Sequence, residues 1–337
     1  MKENDPKYSN YALTKEMLEV VDVVKQFNPH QTAEVARDIA QDGRLFLTGE
    51  GSSRIFPAKN LIRKTLTSGL DLQVASDGSR QAAQYDLSKF AVFCASNSGR
   101  TKEVVLLAQK LSGIGNSHRY GLTANADTIL EKACSQTFIL NCGWENAVAA
   151  TKSVIEQALF YESILWNIAH TTDTFNSALL SGHLKETLEL QIDPGIVEAA
   201  VNAPTIYFAG YNDGVAEELT LKTNEITRKK SDYLEGTYAV HGIEEVMEVN
   251  DIVFVIDPID DEIEKFQEVL ADGVGLKVVA ITDRETPFDT IRVPAAGKYN
   301  PYVLLCAGWN LLVEIGLASG INLDKPERAR KVGNELI

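Results

Sequence analysis

The residues best suited to chemistry form a short hydroxyl-rich turn, Ser96-Asn97-Ser98-Gly99-Arg100-Thr101. An apolar run precedes it at residues 90–94 and an amphipathic run follows at 102–111, which indicates strand, turn and helix. The first N–H groups of a helix lack partners and the helix dipole is positive there, so a phosphate dianion is attracted. An ordinary N-cap needs only one Ser or Thr, so this turn by itself leaves a phosphate site and a simple cap equally open.

A second turn of this kind, Gly49-Glu50-Gly51-Ser52-Ser53, follows the apolar run at residues 44–48. Glycine frees the backbone of such a turn, and the hydroxyls stand at the start of the next helical pattern. Arg54 occupies the place of the third glycine of a dinucleotide-binding fingerprint. A dinucleotide site is therefore not expected, and we predict no cofactor.

Strand and helix patterns alternate through the first half of the chain. Strands are predicted at residues 44–48, 72–75, 90–94, 119–123 and 136–140, and helices at 32–42, 56–67, 79–85, 102–111, 128–134, 151–170 and 174–190. This alternation predicts an α/β fold, in which a doubly wound parallel sheet carries helices on both faces. Ligands of such sheets bind at the carboxyl ends of the strands, where both hydroxyl turns lie.

The second half repeats the first. Ile206 follows Leu45 by 161 positions (206 − 45) and Val253 follows Val92 by the same 161 (253 − 92), each within a matching strand pattern. We therefore predict two tandem copies of one flavodoxin-like domain, at residues 31–192 and 193–337, after a helical segment at 1–30. The second copy carries Asp257-Pro258-Ile259-Asp260-Asp261 in place of the hydroxyl turn, and this acidic stretch is expected to repel phosphate.

A lysine interrupts the apolar face of the helix that follows Gly210. Val215, Leu219, Lys222 and Ile226 share this face at helical spacing. Glu218 and Glu225 stand four residues before and three after Lys222, so both carboxylates can reach its ammonium. A surface ladder of ion pairs is the plain alternative, but an ammonium on a packing face needs partners or a ligand. A carboxylate held ionised beside a cation can serve as a base.

Composition narrows the function classes. The formal net charge of −15 and the lack of a basic stripe argue against a nucleic-acid partner. No apolar run is long enough to span a bilayer, and the first residues lack the apolar core of a signal peptide, so we expect a cytoplasmic protein without a membrane partner. Its cysteines, Cys94, Cys134, Cys142 and Cys306, show no paired spacing and are expected to be reduced thiols. Asp, Glu and His are not grouped at metal-ligand spacings, and we predict no metal.

Taken in order, these motifs resemble the SIS (sugar isomerase) family of phosphosugar-binding proteins over nearly the whole chain. The resemblance is greatest to the double-SIS group, which contains the isomerase half of glucosamine-6-phosphate synthase and the SIS-type glucosamine-6-phosphate deaminases. The family's motifs appear as Gly51-Ser52-Ser53, Ser96-Asn97-Ser98-Gly99-Arg100-Thr101, Val148-Ala149-Ala150-Thr151-Lys152, Leu221-Lys222-Thr223-Asn224-Glu225, His241-Gly242 and Asp324-Lys325-Pro326 with Lys331.

The resemblance implies a role for each of these residues. The phosphate would be bound by Ser52, Ser53, Ser96, Asn97, Ser98 and Thr101, and the sugar by Val148, Ala149 and Glu218. Glu225 would move a proton between sugar C1 and C2, His241 would assist ring opening, and Lys222 and Lys331 would stabilise the developing enolate oxygen. In the family this histidine often comes from a neighbouring subunit, which implies a homodimer.

Departures from the family pattern shape the expected activity. The sequence contains no amidotransferase half, so glutamine-dependent synthesis is not expected, and His241-Gly242 is followed by Ile243 rather than the usual proline. The expected activity is conversion of glucosamine 6-phosphate to fructose 6-phosphate and ammonia. The alternatives are a deglycase of fructosamine 6-phosphates, a plain aldose–ketose isomerase, and a non-catalytic sugar-phosphate sensor, which would not need Glu225 and Lys222.

Overall fold

The first half of the chain forms a five-stranded parallel sheet in the computed structural model, which describes residues 1–331 and 333–336. Its strands are β1 Arg44–Gly49, β2 Gln73–Gly78, β3 Ala91–Ala95, β4 Arg119–Thr123 and β5 Gln136–Ile139. Every residue of β3 is buried, as expected of a central parallel strand covered on both faces. The strand order is β2-β1-β3-β4-β5, so the order reverses between β1 and β3.

The second half forms another five-stranded parallel sheet with the same connectivity. Its strands are β6 Thr205–Gly210, β7 Lys230–Glu235, β8 Ile252–Ile256, β9 Lys277–Thr282 and β10 Asp289–Arg292. Their order, β7-β6-β8-β9-β10, reproduces that of the first sheet strand for strand. The predicted repeat of one doubly wound domain is therefore confirmed.

Helices flank both sheets. The α-helices are α1 Pro6–Ser9, α2 Ala12–Gln26, α3 Ala33–Asp42, α4 Ile55–Ser68, α5 Ser79–Ala82, α6 Lys102–Gly113, α7 Ile129–Ala133, α8 Lys152–Ile168, α9 Ser177–Leu188, α10 Pro194–Asn202, α11 Val215–Thr227, α12 Ile263–Phe266 and α13 Asn300–Ala318. A π-helix follows α12 at Gln267–Val274, and short 3₁₀ turns lie at Gly51–Ser53, Thr172–Thr174, Tyr238–Val240, Ile243–Val246, Asp260–Glu262 and Gly297–Tyr299.

Two compact units make up the chain. The first-sheet unit contains Asp22–Asn146, Ala150–Ala178 and the described residues from Arg328 on, and the second-sheet unit contains Met1–Val21, Ala147–Ala149 and Leu179–Glu327. Both units are assembled from separate segments, whereas the predicted domains at residues 31–192 and 193–337 are continuous and each contains the five strands of one sheet.

The longest apolar helix is a core element. Gly297–Ala318, which includes α13, is 22 residues long with a mean hydropathy of 1.5, and 78% of its apolar window is buried. Length and composition alone would allow it to cross a membrane, but burial of this extent is typical of the central helix of an α/β unit. Elsewhere in the part of the chain that the structure describes, no helix meets the same test.

Several predicted helices differ from the observed ones at their ends. The helix predicted over residues 79–85 stops at Ala82, because the chain turns there and the N–H groups of Gln84 and Tyr85 donate to Gln81 and Ala82. The helix predicted over residues 174–190 is a 3₁₀ turn, Thr172–Thr174, followed by α9. The strand predicted at residues 72–75 extends to Gly78, because β2 pairs with β1 along its whole length.

Candidate active site

Both hydroxyl turns lie at the point where the order of the first sheet reverses. The turn Gly51–Ser53 follows β1, and residues 96–101 follow β3 and lead into α6. Because β1 and β3 are adjacent and parallel, their carboxyl ends meet at the same edge of the sheet. This edge is where doubly wound sheets bind their ligands.

The hydroxyls of the second turn converge on one another. The Ser96 Oγ lies 2.8 Å from the Thr101 Oγ1 and 3.5 Å from the Ser98 Oγ. The Thr101 N–H points at the Ser96 Oγ at 3.4 Å, and the Arg100 N–H donates to the Ser98 Oγ at 3.2 Å. Thr101 is the N-cap residue of α6 but makes no capping bond with its side chain, so its hydroxyl belongs to this cluster rather than to the helix. Such hydroxyls can turn toward an anion when one binds.

Of the other residues assigned to the phosphate, Ser52 is buried and Ser53 partly buried, in the 3₁₀ turn after β1. Asn97 is partly buried, and its Nδ2 donates to the Glu145 Oε2 at 3.0 Å. Ser96 and Ser98 are buried.

Gly99 gives its shape to the turn at residues 96–101, which we call the phosphate turn after its predicted ligand. Its φ is +64°, a left-handed conformation that favours glycine, and a Cβ on this residue would lie 2.4 Å from the Thr128 Cβ. The Leu130 N–H also donates to the Gly99 carbonyl at 3.1 Å. The turn therefore packs against the start of α7 so closely that any side chain at position 99 would displace it.

The second-sheet unit contains the predicted lysine cluster on α11. Lys222 and Glu218 are fully buried, and the Glu225 side chain is 25% exposed. The Lys222 Nζ donates to the Glu225 Oε2 at 2.7 Å and lies 3.2 Å from the Glu218 Oε1. One ammonium thus holds two carboxylates, and of the two only Glu225 reaches solvent. The Glu225 carboxylate can therefore contact a substrate, whereas Glu218 is a buried ion-pair partner of Lys222.

Lys222 is held as a cation. Burial alone would lower the pKa of its ammonium, but the negative charges of Glu225 and Glu218 outweigh burial, and the net result is a raised pKa. A lysine in this state is a fixed positive charge. It can stabilise an oxygen that becomes negative in a reaction, but it cannot serve as the base.

The remaining catalytic candidates lie on loops. His241 follows the 3₁₀ turn Tyr238–Val240, is exposed, and is not part of the buried Lys222 cluster. Gly242 after it has a φ of +105°, which accounts for a glycine at that place. In the first-sheet unit, the Lys331 Nζ lies 3.9 Å from the Glu145 Oε2.

Of the predicted sugar-binding residues, Ala149 is buried and Val148 partly buried, both in a loop segment of the second-sheet unit. The neighbouring Ala147 N–H donates to the buried Glu16 Oε2 at 3.2 Å. This hydrogen bond fixes the backbone just before them.

Arg284 forms ion pairs with the acidic turn that follows β8 in the second sheet. The Arg284 Nη1 lies 2.5 Å from the Asp257 Oδ1, its Nε lies 2.9 Å from the Asp260 Oδ1, and its Nη2 donates to the Pro258 carbonyl. Burial alone would lower the pKa of Arg284, but its hydrogen bonds and charge interactions with Asp257 and Asp260 raise it. The sequence showed the negative charge of this turn but not the guanidinium that pairs with two of its aspartates, 24 residues beyond Asp260 (284 − 260).

Glu145 is the residue of the first-sheet unit that the sequence reasoning missed. It is completely buried and accepts hydrogen bonds from Asn97, Thr151 and Ser153. The signal available in the sequence was an acidic residue six positions before the Thr151-Lys152 pair that begins α8. Among residues 1–331 and 333–336, no three or more His, Cys, Asp and Glu side chains are grouped in a way that could hold a metal ion.

Comparison with solved structures identifies the fold. The tagatose-6-phosphate ketose/aldose isomerase of Escherichia coli matches with a TM-score of 0.75 at 15% identity, over 96% of this chain and 99% of that one. The C-terminal domain of glucosamine-fructose-6-phosphate aminotransferase from Francisella tularensis matches with a TM-score of 0.76 at 17% identity, over 94% and 98%. The glucosamine-6-phosphate deaminase of Thermotoga maritima matches with a TM-score of 0.68 at 18% identity, over 95% and 99%.

The fold is therefore the two-sheet α/β fold of these sugar-phosphate proteins, as the resemblance in sequence predicted. No protein-family model matches the sequence. No curated protein matches it by sequence search either.

Proposed function

We propose that this protein is a phosphosugar isomerase-type enzyme that converts glucosamine 6-phosphate to fructose 6-phosphate and ammonia. The observation that carries the proposal is the α11 cluster, in which a buried permanent cation holds the partly exposed Glu225 carboxylate at 2.7 Å. A protein that only senses a sugar phosphate needs the hydroxyl turns but has no use for this cluster. The two enzymes and the aminotransferase domain that share the fold are all named for 6-phosphorylated sugars.

The proposed reaction divides the work among the residues. The hydroxyls of Ser96, Ser98 and Thr101 and the N–H groups of their turn would bind the phosphate. Glu225 would take the proton from C2 of the open-chain sugar and return it to C1. A second proton would pass from the amine nitrogen to the C1 oxygen, so that the amine at C2 becomes an imine. Lys222 and Lys331 would stabilise the oxygen that becomes negative in between. Water would then add to C2, and the C–N bond would break to release ammonia and leave the ketone of fructose 6-phosphate.

Two further features complete the proposal. His241 would assist opening of the sugar ring, and its exposure leaves it free to serve the site of a second subunit in a homodimer. We place the protein in the cytoplasm, which keeps thiols reduced, and Cys94, Cys134, Cys142 and Cys306 are all free.

Ammonia release from glucosamine 6-phosphate, coupled to detection of fructose 6-phosphate, tests the proposal. Wild type and Glu225→Gln are compared, because the amide keeps the size of the side chain and cannot take a proton. We expect release by the wild type and a loss of about 10²–10⁴-fold in the variant, the usual contribution of a general base. Stabilisation of both proteins by added fructose 6-phosphate, measured by thermal shift, shows that binding is retained.

Other outcomes redirect the proposal or overturn it. Binding without ammonia release rejects the deaminase, and fructosamine 6-phosphates and ketose or aldose 6-phosphates are then the substrates to assay. A wild type that binds no sugar phosphate overturns the proposed function as a whole.

A further inference from the structure

Glu145 is a completely buried carboxylate in the loop between β5 and α8. Its Oε1 serves the start of α8: the Thr151 N–H donates to it at 2.7 Å, and the Thr151 hydroxyl and the Ser153 N–H each lie 3.4 Å away. Thr151 is the N-cap residue of this helix, yet its side chain makes no capping bond. Glu145 therefore supplies the cap, and its negative charge lies at the positive end of a 17-residue helix.

The other oxygen of Glu145 points to residues with proposed roles in the site. The Oε2 accepts from the Ser153 hydroxyl at 2.5 Å and from the Asn97 Nδ2 at 3.0 Å, and the Lys331 Nζ lies 3.9 Å away. Asn97 belongs to the phosphate turn, and Lys331 is a cation of the C-terminal segment. Ser153 lies in the first turn of α8, so its hydrogen bond belongs to the cap. The contacts of the Oε2 with Asn97 and Lys331 require a separate explanation.

The C-terminal segment also pairs with the phosphate turn through its backbone. The Lys102 N–H donates to the Asn334 carbonyl at 3.0 Å, and the Leu336 N–H donates to the Arg100 carbonyl at 3.0 Å, with an antiparallel bridge at Thr101 and Glu335. This pairing holds residues 334–336 alongside residues 100–102 at the end of the turn. Lys331 lies a few residues earlier in the same segment, and its ammonium is within charge range of Glu145.

We propose that Glu145 is a positioning residue that couples the phosphate turn to Lys331. A single oxygen orients the Asn97 amide and attracts the Lys331 ammonium, so the cation stays beside the turn that would hold the phosphate. The distance of 3.9 Å is beyond a hydrogen bond but within the range of a strong charge interaction at a buried site. Lys331 is therefore held near this carboxylate by charge, without a hydrogen bond between the two groups. For catalysis this inference rests on the proposed function, but its binding test does not require turnover.

Glu145→Gln separates the two ends of the carboxylate. A glutamine keeps one oxygen, which can still accept from the Thr151 N–H, and it places an NH₂ group where the Oε2 was. This group would face the Asn97 amide and the Lys331 ammonium, both of which are donors. The hydrogen bond from the Thr151 N–H is thus preserved, while the negative charge and the acceptor for Asn97 and Lys331 are lost.

The experiment is a double-mutant cycle on the affinity for fructose 6-phosphate, measured by titration calorimetry on the full chain. The variants are Glu145→Gln, Lys331→Met and the double substitution. We expect each single variant to weaken binding about tenfold, or about 1.4 kcal/mol, and the double variant to be no weaker than either. Glu162→Gln is the matched control, since Glu162 is also a buried carboxylate but lies within α8, where it pairs with Lys64 at 2.6 Å. Its affinity should equal that of the wild type.

Each remaining outcome gives a clear decision. Losses that add in the double variant, or a Glu145→Gln protein that is less stable but binds normally, overturn the coupling and leave the proposed function standing. Coupled losses in a protein without turnover overturn the function and leave the coupling standing. A wild type that binds no fructose 6-phosphate overturns both. If Glu145→Gln does not fold, the cycle of Asn97→Ala with Lys331→Met replaces it, and additive losses there reject the coupling.

Discussion

At the scale of single residues, Lys222 offers a direct test of the α11 cluster. Its ammonium and the Glu218 carboxylate are both fully buried, 3.2 Å apart. Lys222→Met would leave that carboxylate buried without its cation. We expect the free energy of unfolding to fall by about 3–5 kcal/mol, as is found when one partner of a buried ion pair is removed. Urea unfolding measures the loss. Adding Glu218→Gln to Lys222→Met should recover part of it, and a loss below about 1 kcal/mol would contradict a buried charge network.

The pH dependence of the same residue follows from the sign of its pKa shift. The charges of Glu225 and Glu218 overcome burial and raise the pKa of Lys222 in the folded state. Its contribution to stability is therefore complete below the unfolded pKa of about 10.4 and declines as pH rises through the folded pKa. The difference in unfolding free energy between wild type and Lys222→Met should be constant from about pH 6 to 9 and shrink above about pH 10. If this difference in unfolding free energy declined near neutral pH instead, a group other than Lys222 would control the pH dependence.

At the scale of the element, the phosphate turn depends on a glycine that can be tested against a matched one. Gly99 and Gly43 have nearly the same φ, +64° and +66°, but a Cβ on Gly99 would meet Thr128 at 2.4 Å and one on Gly43 would meet nothing within 4 Å. Alanine at either position costs about 1–2 kcal/mol for the left-handed backbone. We expect Gly43→Ala to lose only this backbone contribution to its stability and to bind fructose 6-phosphate with wild-type affinity.

Gly99→Ala should lose more stability than Gly43→Ala, because its Cβ would push the turn away from α7. Its affinity for fructose 6-phosphate should fall at least tenfold, since the Ser96, Ser98 and Thr101 hydroxyls would no longer converge. Thermal shift with and without the ligand measures both quantities. Equal losses of stability and of affinity in the two alanine variants would mean that close packing against Thr128 does not shape the turn.

The element is also the scale at which sequence reasoning was most successful. Strands such as β3 and β6 are short apolar runs between turn residues. Such a run is typical of a parallel strand that is buried on both faces, so these strands could be predicted. The Lys222 cluster was predictable because all three of its residues lie within two turns of one helix. Glu145 and Arg284 were not, because their partners are up to 186 (331 − 145) and 27 positions away and depend on how the chain folds back. The pairing of residues 334–336 with the phosphate turn is longer in range still.

At the scale of the whole molecule, the exposed position of His241 leads to a test of assembly. If His241 serves the site of a second subunit, as we propose, a dimer of His241→Ala with Glu225→Gln has one site with both residues intact and one site with neither. Random mixing makes half of the dimers mixed, so co-expression of the two inactive chains should restore about one quarter of wild-type activity. Each chain carries a different affinity tag, and purification over both tags isolates the mixed dimers, which should reach about one half. If His241 acts in its own subunit, every mixed dimer stays inactive. A monomer by sedimentation at the assay concentration would rule out a shared site altogether.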